Sequence, residues 1–257
     1  MKTIRSFSLQ ETNFKSVREM KFDMALLPWG ATEAHNYHLP YGTDNFLAEE
    51  VAIKAAEKAW DNNIHSIVLP TMSYGVNTGQ MKVPLCMNMN PSTQLAFLSD
   101  IIQVLKKDGI DKLVIINAHG GNNFKQIIRE LSMMHPEVFT CAINWWQIEK
   151  ATEYFSEPGD HAGELETAAM MYLKPDLVLP LNQAGLGKEK KSKLRGIREG
   201  WVVSQREWSK VTEDTGVGNP RKATEENGKK FFQDSVKKIA GFLKELQKCS
   251  IDNLYET

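Results

Sequence analysis

Apolar residues fall into two kinds of segment along this chain: short uninterrupted runs, and longer stretches in which they recur three or four positions apart. The runs are 25–27, which ends at Pro28, then 66–69, 113–116 and 138–143. An uninterrupted run suits a strand buried on both faces, as in a parallel sheet covered by helices above and below. Helical spacing predicts a helix over 46–60 with Leu47, Val51 and Ala55 on one face, and another over 91–107 with Leu95, Leu98, Ile102 and Leu105, stopped by Gly109. Further helices are expected near 123–134, over 162–173 with Pro175 ending it, and over 223–248, where Phe231, Phe232, Val236, Ile239, Phe242, Leu243 and Leu246 face the core. The alternation of strand and helix implies βαβ crossovers, hence an α/β fold with a sheet parallel at its centre. Periodicity lapses over the glycine-rich stretch 181–221, in which 201–211 is expected as a hairpin strand.

Three polar loops follow predicted strands, where open α/β sheets bind ligands. Loop 29–45 carries Glu33, His35 and Asp44, loop 118–122 carries His119, and the start of the helix near 162 carries His161, Glu164 and Glu166. Carboxylates and imidazoles without thiolates suit Zn²⁺, Mn²⁺ or Fe²⁺, and a carboxylate that uses both oxygens can bridge two ions. Asp44 or Asn45 is placed to cap the helix at 46, which makes Asp44 a stiffly held candidate for such a bridge. Glu33 and His35 lie two apart, so an extended backbone points both to one side. Gly120 and Gly121 permit positive φ in a tight turn capped by Asn122 or Asn123, and their lack of side chains also leaves room for a ligand. The acidic residues at 164 and 166 equally suit a helix N-terminus. Trp145 and Trp146 end a strand on the ligand side, as pocket wall or as core, while His65 and His135 lie outside the polar loops and read as structural.

Composition narrows the function classes. Of 257 residues, 42% are apolar and 25% charged, with 31 basic against 32 acidic side chains and a formal net charge of −1. That describes one globular domain over 1–257, with no electrostatic footprint for nucleic acid. Cys86, Cys141 and Cys249 are odd in number and form no CxxC, so neither a disulfide framework nor a thiolate zinc site is indicated, and a reducing cytoplasmic compartment is expected. Residues 1–21 lack the apolar segment of about 7–15 residues that a signal peptide needs. No run approaches the roughly 20 apolar residues of a membrane helix. A P-loop, a complete dinucleotide fingerprint and a G-x-S-x-G elbow are absent. The basic cluster Lys188, Lys190, Lys191, Lys193, Arg195 and Arg198 reads as a solvated loop or as a contact for an acidic substrate or subunit.

The three loops together resemble the creatininase (creatinine amidohydrolase) family. Segment 28–44, PWGATEAHNYHLPYGTD, is similar to its first signature, 117–122, NAHGGN, to its second, and 161–167, HAGELET, to its third, in family order. The resemblance implies a three-layer α/β/α sandwich with a mostly parallel sheet, two divalent ions per chain (Zn²⁺ and/or Mn²⁺, with Fe²⁺ an option) and usually a homohexamer. The implied activity is hydrolysis of a C–N bond in a small amide, cyclic amide or formamide by metal-activated water. By position, Glu33, Asp44 and His119 correspond to the ligands of one metal, and His35 with the bridging Asp44 to those of the second. In creatininase proper the remaining ligand is a Glu where this chain has Gly121, and Glu164 is expected to substitute. His161, with Glu166 as the alternative, would move the proton, and Trp146, Gly120 and Gly121 would border the substrate. Trp146 fits one of two tryptophans that guard the substrate in creatininase, but Asp160, in a Glu157-Pro158-Gly159 context, has no Trp beside it, which argues against creatinine. The family also holds formamide hydrolases of flavin and deazaflavin precursor synthesis and a peptidase acting on a redox-cofactor precursor. Two other classes compete: a non-catalytic small-molecule binder on a degenerate scaffold, and a metal-dependent phosphoester hydrolase.

Overall fold

The protein is described by a computed structural model over residues 4–256. Its sheet has four strands, β1 (Met24–Trp29), β2 (Ser66–Val68), β3 (Lys112–Asn117) and β4 (Phe139–Asn144), all parallel and ordered β2-β1-β3-β4. The helices are α1 (Phe14–Glu19), α2 (Thr43–Trp60), α3 (Pro91–Lys107), α4 (Phe124–Met134), α5 (Glu164–Leu173), the single turns α6 (Arg195–Arg198) and α7 (Trp208–Val211), and α8 (Glu225–Lys248). None is long and apolar enough to cross a membrane.

The alternation of side chains along a strand sorts the sheet into two cores. Ala25, Leu27, Trp29, Leu113 and Ile115 point to one side, where Leu98, Ile102 and Leu105 of α3 and Phe124, Ile127 and Leu131 of α4 cover them. Met24, Leu26, Val114 and Ile116 point to the other, against α2, α5 and α8. The result is the expected three-layer α/β/α sandwich, and the uninterrupted apolar runs are those of strands buried on both faces.

Several boundaries differ from the sequence reading. Pro28 does not end β1, which continues to Trp29 beside Asn117. Its carbonyl accepts from Met72 on the side where β2 has already ended at Val68, so the missing N–H leaves no ladder bond unmade. Helix α2 starts at Thr43, three residues early, so Asp44 lies in the first turn instead of capping it, and its carboxylate is free to point elsewhere. The segment 201–211 forms no strand: Trp201 and Val203 are exposed, no sheet edge adjoins them, and α7 closes the segment. Gly109 does stop α3, in the left-handed region at φ 74°.

Helices α5 and α8 touch through backbone. A Cβ on Gly228 would lie 2.0 Å from the carbonyl oxygen of Ala168, whereas one on Gly241, in the same helix, would meet nothing within 4 Å. Gly228→Ala should therefore cost about 1–3 kcal/mol in denaturant unfolding, from forced separation of the helices. Gly241→Ala should instead gain about 0.5–1 kcal/mol from the helix preference of Ala. Equal effects would show that α5 and α8 yield freely at this contact.

Candidate metal centre

All three polar loops leave the carboxyl ends of strands, and their acidic and imidazole side chains converge beneath the surface. Glu33 and His35 come from the loop after β1, Asp44 from the first turn of α2, His119 from the loop after β3, and His161 and Glu166 from the segment that opens α5. Glu33, His35, Asp44, His119 and His161 are all buried. His119 Nδ1 lies 2.9 Å from Glu33 Oε1 and 3.1 Å from Asp44 Oδ2, and His35 Nε2 lies 3.0 Å from Asp44 Oδ1. His161 Nδ1 is 3.7 Å from Glu33 Oε1. Two ligand sets therefore share one carboxylate: Glu33, Asp44 and His119, and His35, Asp44 and Glu166.

The outer nitrogen of each imidazole faces a backbone carbonyl. His35 Nδ1 is 3.1 Å from the carbonyl oxygen of Glu33, His119 Nε2 is 3.1 Å from that of Val76, and His161 Nε2 is 2.9 Å from that of Ala34. A carbonyl only accepts, so each outer nitrogen carries the hydrogen and each inner nitrogen turns toward the carboxylates. With a neutral ring, that inner position is a lone pair facing an anion. Only a proton or a cation between them makes the contact favourable.

Protonation shows the same demand. Burial disfavours charge on His35, but the adjacent Asp44 carboxylate outweighs it and raises this imidazole to about 10. His119 is also buried, and Glu33 and Asp44 hold it well above the ordinary histidine value. Burial works against the Asp44 anion too, yet His35 and His119 bring it below the usual carboxylate range, while Glu166 is pushed up, chiefly by its burial. Asp44 Oδ2 lies within ion-pair distance of His119 but outside hydrogen-bond geometry, so this buried oxygen has no hydrogen bond. Its unmet need, together with the O/N donor set, fits divalent cations of borderline hardness.

The structure separates the two glutamates of the third loop. Glu166, not Glu164, reaches His35 and Asp44, and one of its oxygens is held by the Ala162 N–H. Glu164 turns away, its Oε2 accepting from the Ser156 hydroxyl at 3.1 Å and the Glu157 N–H at 2.8 Å. Gly120 and Gly121 both border the cavity, but neither has positive φ. Gly121 is needed for close approach instead, because a Cβ there would lie 2.3 Å from the Val76 carbonyl and 2.4 Å from His119 Nε2, the pair that orients His119. The tryptophans divide: Trp145 packs edge-on against Phe231 in the core, and Trp146 lines the pocket beside His161 and Glu166.

Some supporting residues had no signal in the sequence, and others, His38 and Asn122, lay in the motifs without a role assigned at the site. Gln80, buried in the turn Thr78–Gln80, donates to Glu33 Oε2 and accepts from the Cys86 thiol at 3.2 Å, which fixes the orientation of Glu33. His38 Nε2 meets Thr167 Oγ1 at 2.8 Å, tying the first loop to α5. Asn122 Oδ1 accepts from Val76 N and from Gln94 Nε2 while its amide donates to Gly30 and Asn117. Gln80 and Gln94 are unremarkable in sequence. Only their burial marks them.

A family model described as creatininase, creatinine amidohydrolase, matches residues 10–243. The chain belongs to the creatininase family. A solved structure described as a candidate creatinine amidohydrolase from Bacteroides fragilis superposes with a TM-score of 0.92 at 40% identity, covering 98% of this chain and 99% of that one. A creatinine amidohydrolase of Pseudomonas putida is 26% identical over 60% of this chain, and the match spans 65% of its length. A mycofactocin precursor peptide peptidase of Mycolicibacterium smegmatis is 25% identical over 87% of this chain and 85% of its own. Solved creatininases at 22% identity, among them a Zn-Zn type and a Mn form, share the fold with TM-scores of 0.76 and 0.75 over 95% of this chain and 100% of theirs. The amidohydrolase and the peptidase among these relatives are both named for hydrolysis of an amide bond.

Two outcomes follow from the geometry. Because His35 and His119 hold their inner protons well above pH 7, a cation must displace them, so its affinity should rise with pH up to about 10. Zn²⁺ added to chelator-treated protein at pH 8 in weak buffer should release about two protons per chain, read with an indicator dye; zero release would place the cation away from these nitrogens. Gln80→Leu, which frees Glu33 to rotate, should weaken metal affinity by about 10–100-fold in competition with a chromophoric chelator.

Proposed function

We propose that this chain is a metal-dependent amidohydrolase with two divalent ions, Zn²⁺ and/or Mn²⁺, which cleaves the C–N bond of a small amide, cyclic amide or formamide. The observation that carries the reading is the sharing of Asp44, whose two oxygens face different imidazoles, His35 and His119. Glu33, Asp44 and His119 would hold one ion, and His35, Asp44 and Glu166 the other. Bound there, divalent cations supply a water ionised near neutral pH and a Lewis acid for the amide carbonyl. Glu166 replaces the expected Glu164 in this reading, because its carboxylate lies with His35 and Asp44.

His161 is the residue that moves the proton. Its Nδ1 faces the cluster and its Nε2–H is pinned by Ala34, so one nitrogen is presented to the reacting atoms in a fixed direction. An imidazole can accept the proton of the attacking water and return it to the leaving nitrogen, which departs as an amine while the acyl part leaves as a carboxylate. Trp146, Gly120 and Leu165 wall a cavity of about 250 Å³ beside His161, with room for a small acyl group. Creatinine is not the favoured substrate in this reading, since the second tryptophan at the site, Trp208 against His161, comes from a different segment than the one just before the third motif, where this chain has Asp160. By family resemblance the working form is a homohexamer, and its odd, widely spaced cysteines suit a reducing cytoplasmic compartment.

Elemental analysis after Zn²⁺ or Mn²⁺ reconstitution should give about two ions per chain. Glu166→Gln should bring this to about one, with Glu164→Gln retaining both. His161→Ala should keep the metal and lower amine release from a panel of formamides, lactams and amides by about 10²–10⁴-fold. A metal-loaded protein that binds panel members and turns over none would be a binding protein. Release of phosphate from phosphoesters by the same preparation, with no amide cleaved, would make it a phosphoesterase.

A further inference from the structure

The cavity over the metal centre, about 530 Å³, is lined by acids and imidazoles and by a single Lys or Arg side chain among the described residues, that of Arg206. Arg206 also lines an outer cleft of about 1070 Å³, where Lys190, Lys191, Lys193, Arg198 and Lys210 join it and cations outnumber acids two to one. It thus stands at the passage from a basic vestibule to the chemistry. The guanidinium lies over the ring of Trp208 at 5.0 Å, and that ring packs edge-on against His161 at 4.9 Å, so the cation is one indole away from the proposed proton carrier.

The fork of Arg206 is oriented but little used. Nη1 donates to Asp160 Oδ2 at 2.6 Å, Nη2 is 4.0 Å from Glu189 Oε1, and among the described residues no other side-chain acceptor meets it. Asp160 is 60% exposed and Arg206 39%, and a pair so open to water contributes little to folding. Stacking on the indole fixes the plane of the guanidinium, leaving donors that match the two oxygens of a carboxylate or phosphate. A neutral amide offers this cation one uncharged carbonyl acceptor, a weaker contact than a bidentate pair with an oxyanion.

We propose that Arg206 anchors an anionic group of the substrate, so that the substrates of this chain are small amides carrying a carboxylate or a phosphate a few bonds from the amide carbon. The inference rests on the amidohydrolase reading above. The basic vestibule would concentrate such anions before they reach Arg206, and added salt should erode that advantage.

Three formamides that differ in one terminal group test it: N-formylglycine with a carboxylate, N-formyl-O-phosphoethanolamine with a phosphate, and neutral N-formylethanolamine. Affinity is read by calorimetry on metal-loaded His161→Ala, which does not consume them, and kcat/KM by formate release from the wild-type chain. At least one anionic compound should bind about tenfold or more tightly than the neutral one. Adding Arg206→Gln should bring the two within about twofold, and Arg206→Lys should keep part of the preference. Preference for the phosphate or for the carboxylate compound identifies which oxyanion is read. Equal affinity for charged and neutral compounds, or a preference that survives Arg206→Gln, overturns the proposal. If the preference depends on Arg206 but the wild-type chain releases no formate from any of the three or amine from the wider amide panel, the anchor stands and the amidohydrolase reading fails. If formate is released equally from charged and neutral compounds, the reverse holds.

Discussion

The constraint on which this molecule turns is the burial of the Asp44 carboxylate between two imidazoles. A carboxylate removed from water is costly unless compensated, and here Glu33 and Glu166 bring further acidic groups to the same place. Hydrogen bonds from the protein meet that cost only in part: Oδ1 lies against His35 Nε2, while Oδ2 has no hydrogen bond. Protons on His35 and His119 can discharge it, and so can divalent cations. The fold tolerates a cluster of this kind because two layers of helix packed on a largely apolar sheet provide stability elsewhere.

Rigidity around the cluster comes from backbone carbonyls. Those of Glu33, Val76 and Ala34 each take the outer N–H of one imidazole, so the inner nitrogens are aimed before any ligand arrives. The carbonyls belong to loops that are themselves braced: Asn122 joins the loop after β3 to Val76 and Gly30, and His38 joins the first loop to Thr167 of α5. Pre-aimed ligands lose little freedom on binding, which favours both affinity and a fixed direction for His161.

Around this cluster the walls set what can enter. The segment 203–208 passes across the opening, with Trp208 on His161 and Arg206 tied to Asp160. Trp146 closes the inner side. One family holds relatives named for activities as different as creatinine amidohydrolase and peptide peptidase, as expected where one fold carries different walls around its site.

Much of the layout was legible along the chain, because helix and strand periodicity and the residue types of three loops are local properties. The apolar runs gave four parallel strands, and loops 29–45 and 118–122 and the start of α5 supplied the ligand types. What escaped was contact between distant segments. Gln80 orients Glu33, and Arg206 and Trp208 lie at the opening, yet nothing in their spacing links them to the motifs. Asp44 was legible as a candidate ligand but not as a first-turn residue, since α2 begins at Thr43, ahead of the apolar periodicity from which its start was read. The choice between Glu164 and Glu166 shows the division most sharply. Two residues apart on a helix project about 200° from one another, so only one can face the cluster. The sequence by itself determined that a glutamate would be there; the docking of α5 against α2 and α8 sets the rotation of the helix, and only the tertiary structure decided which one.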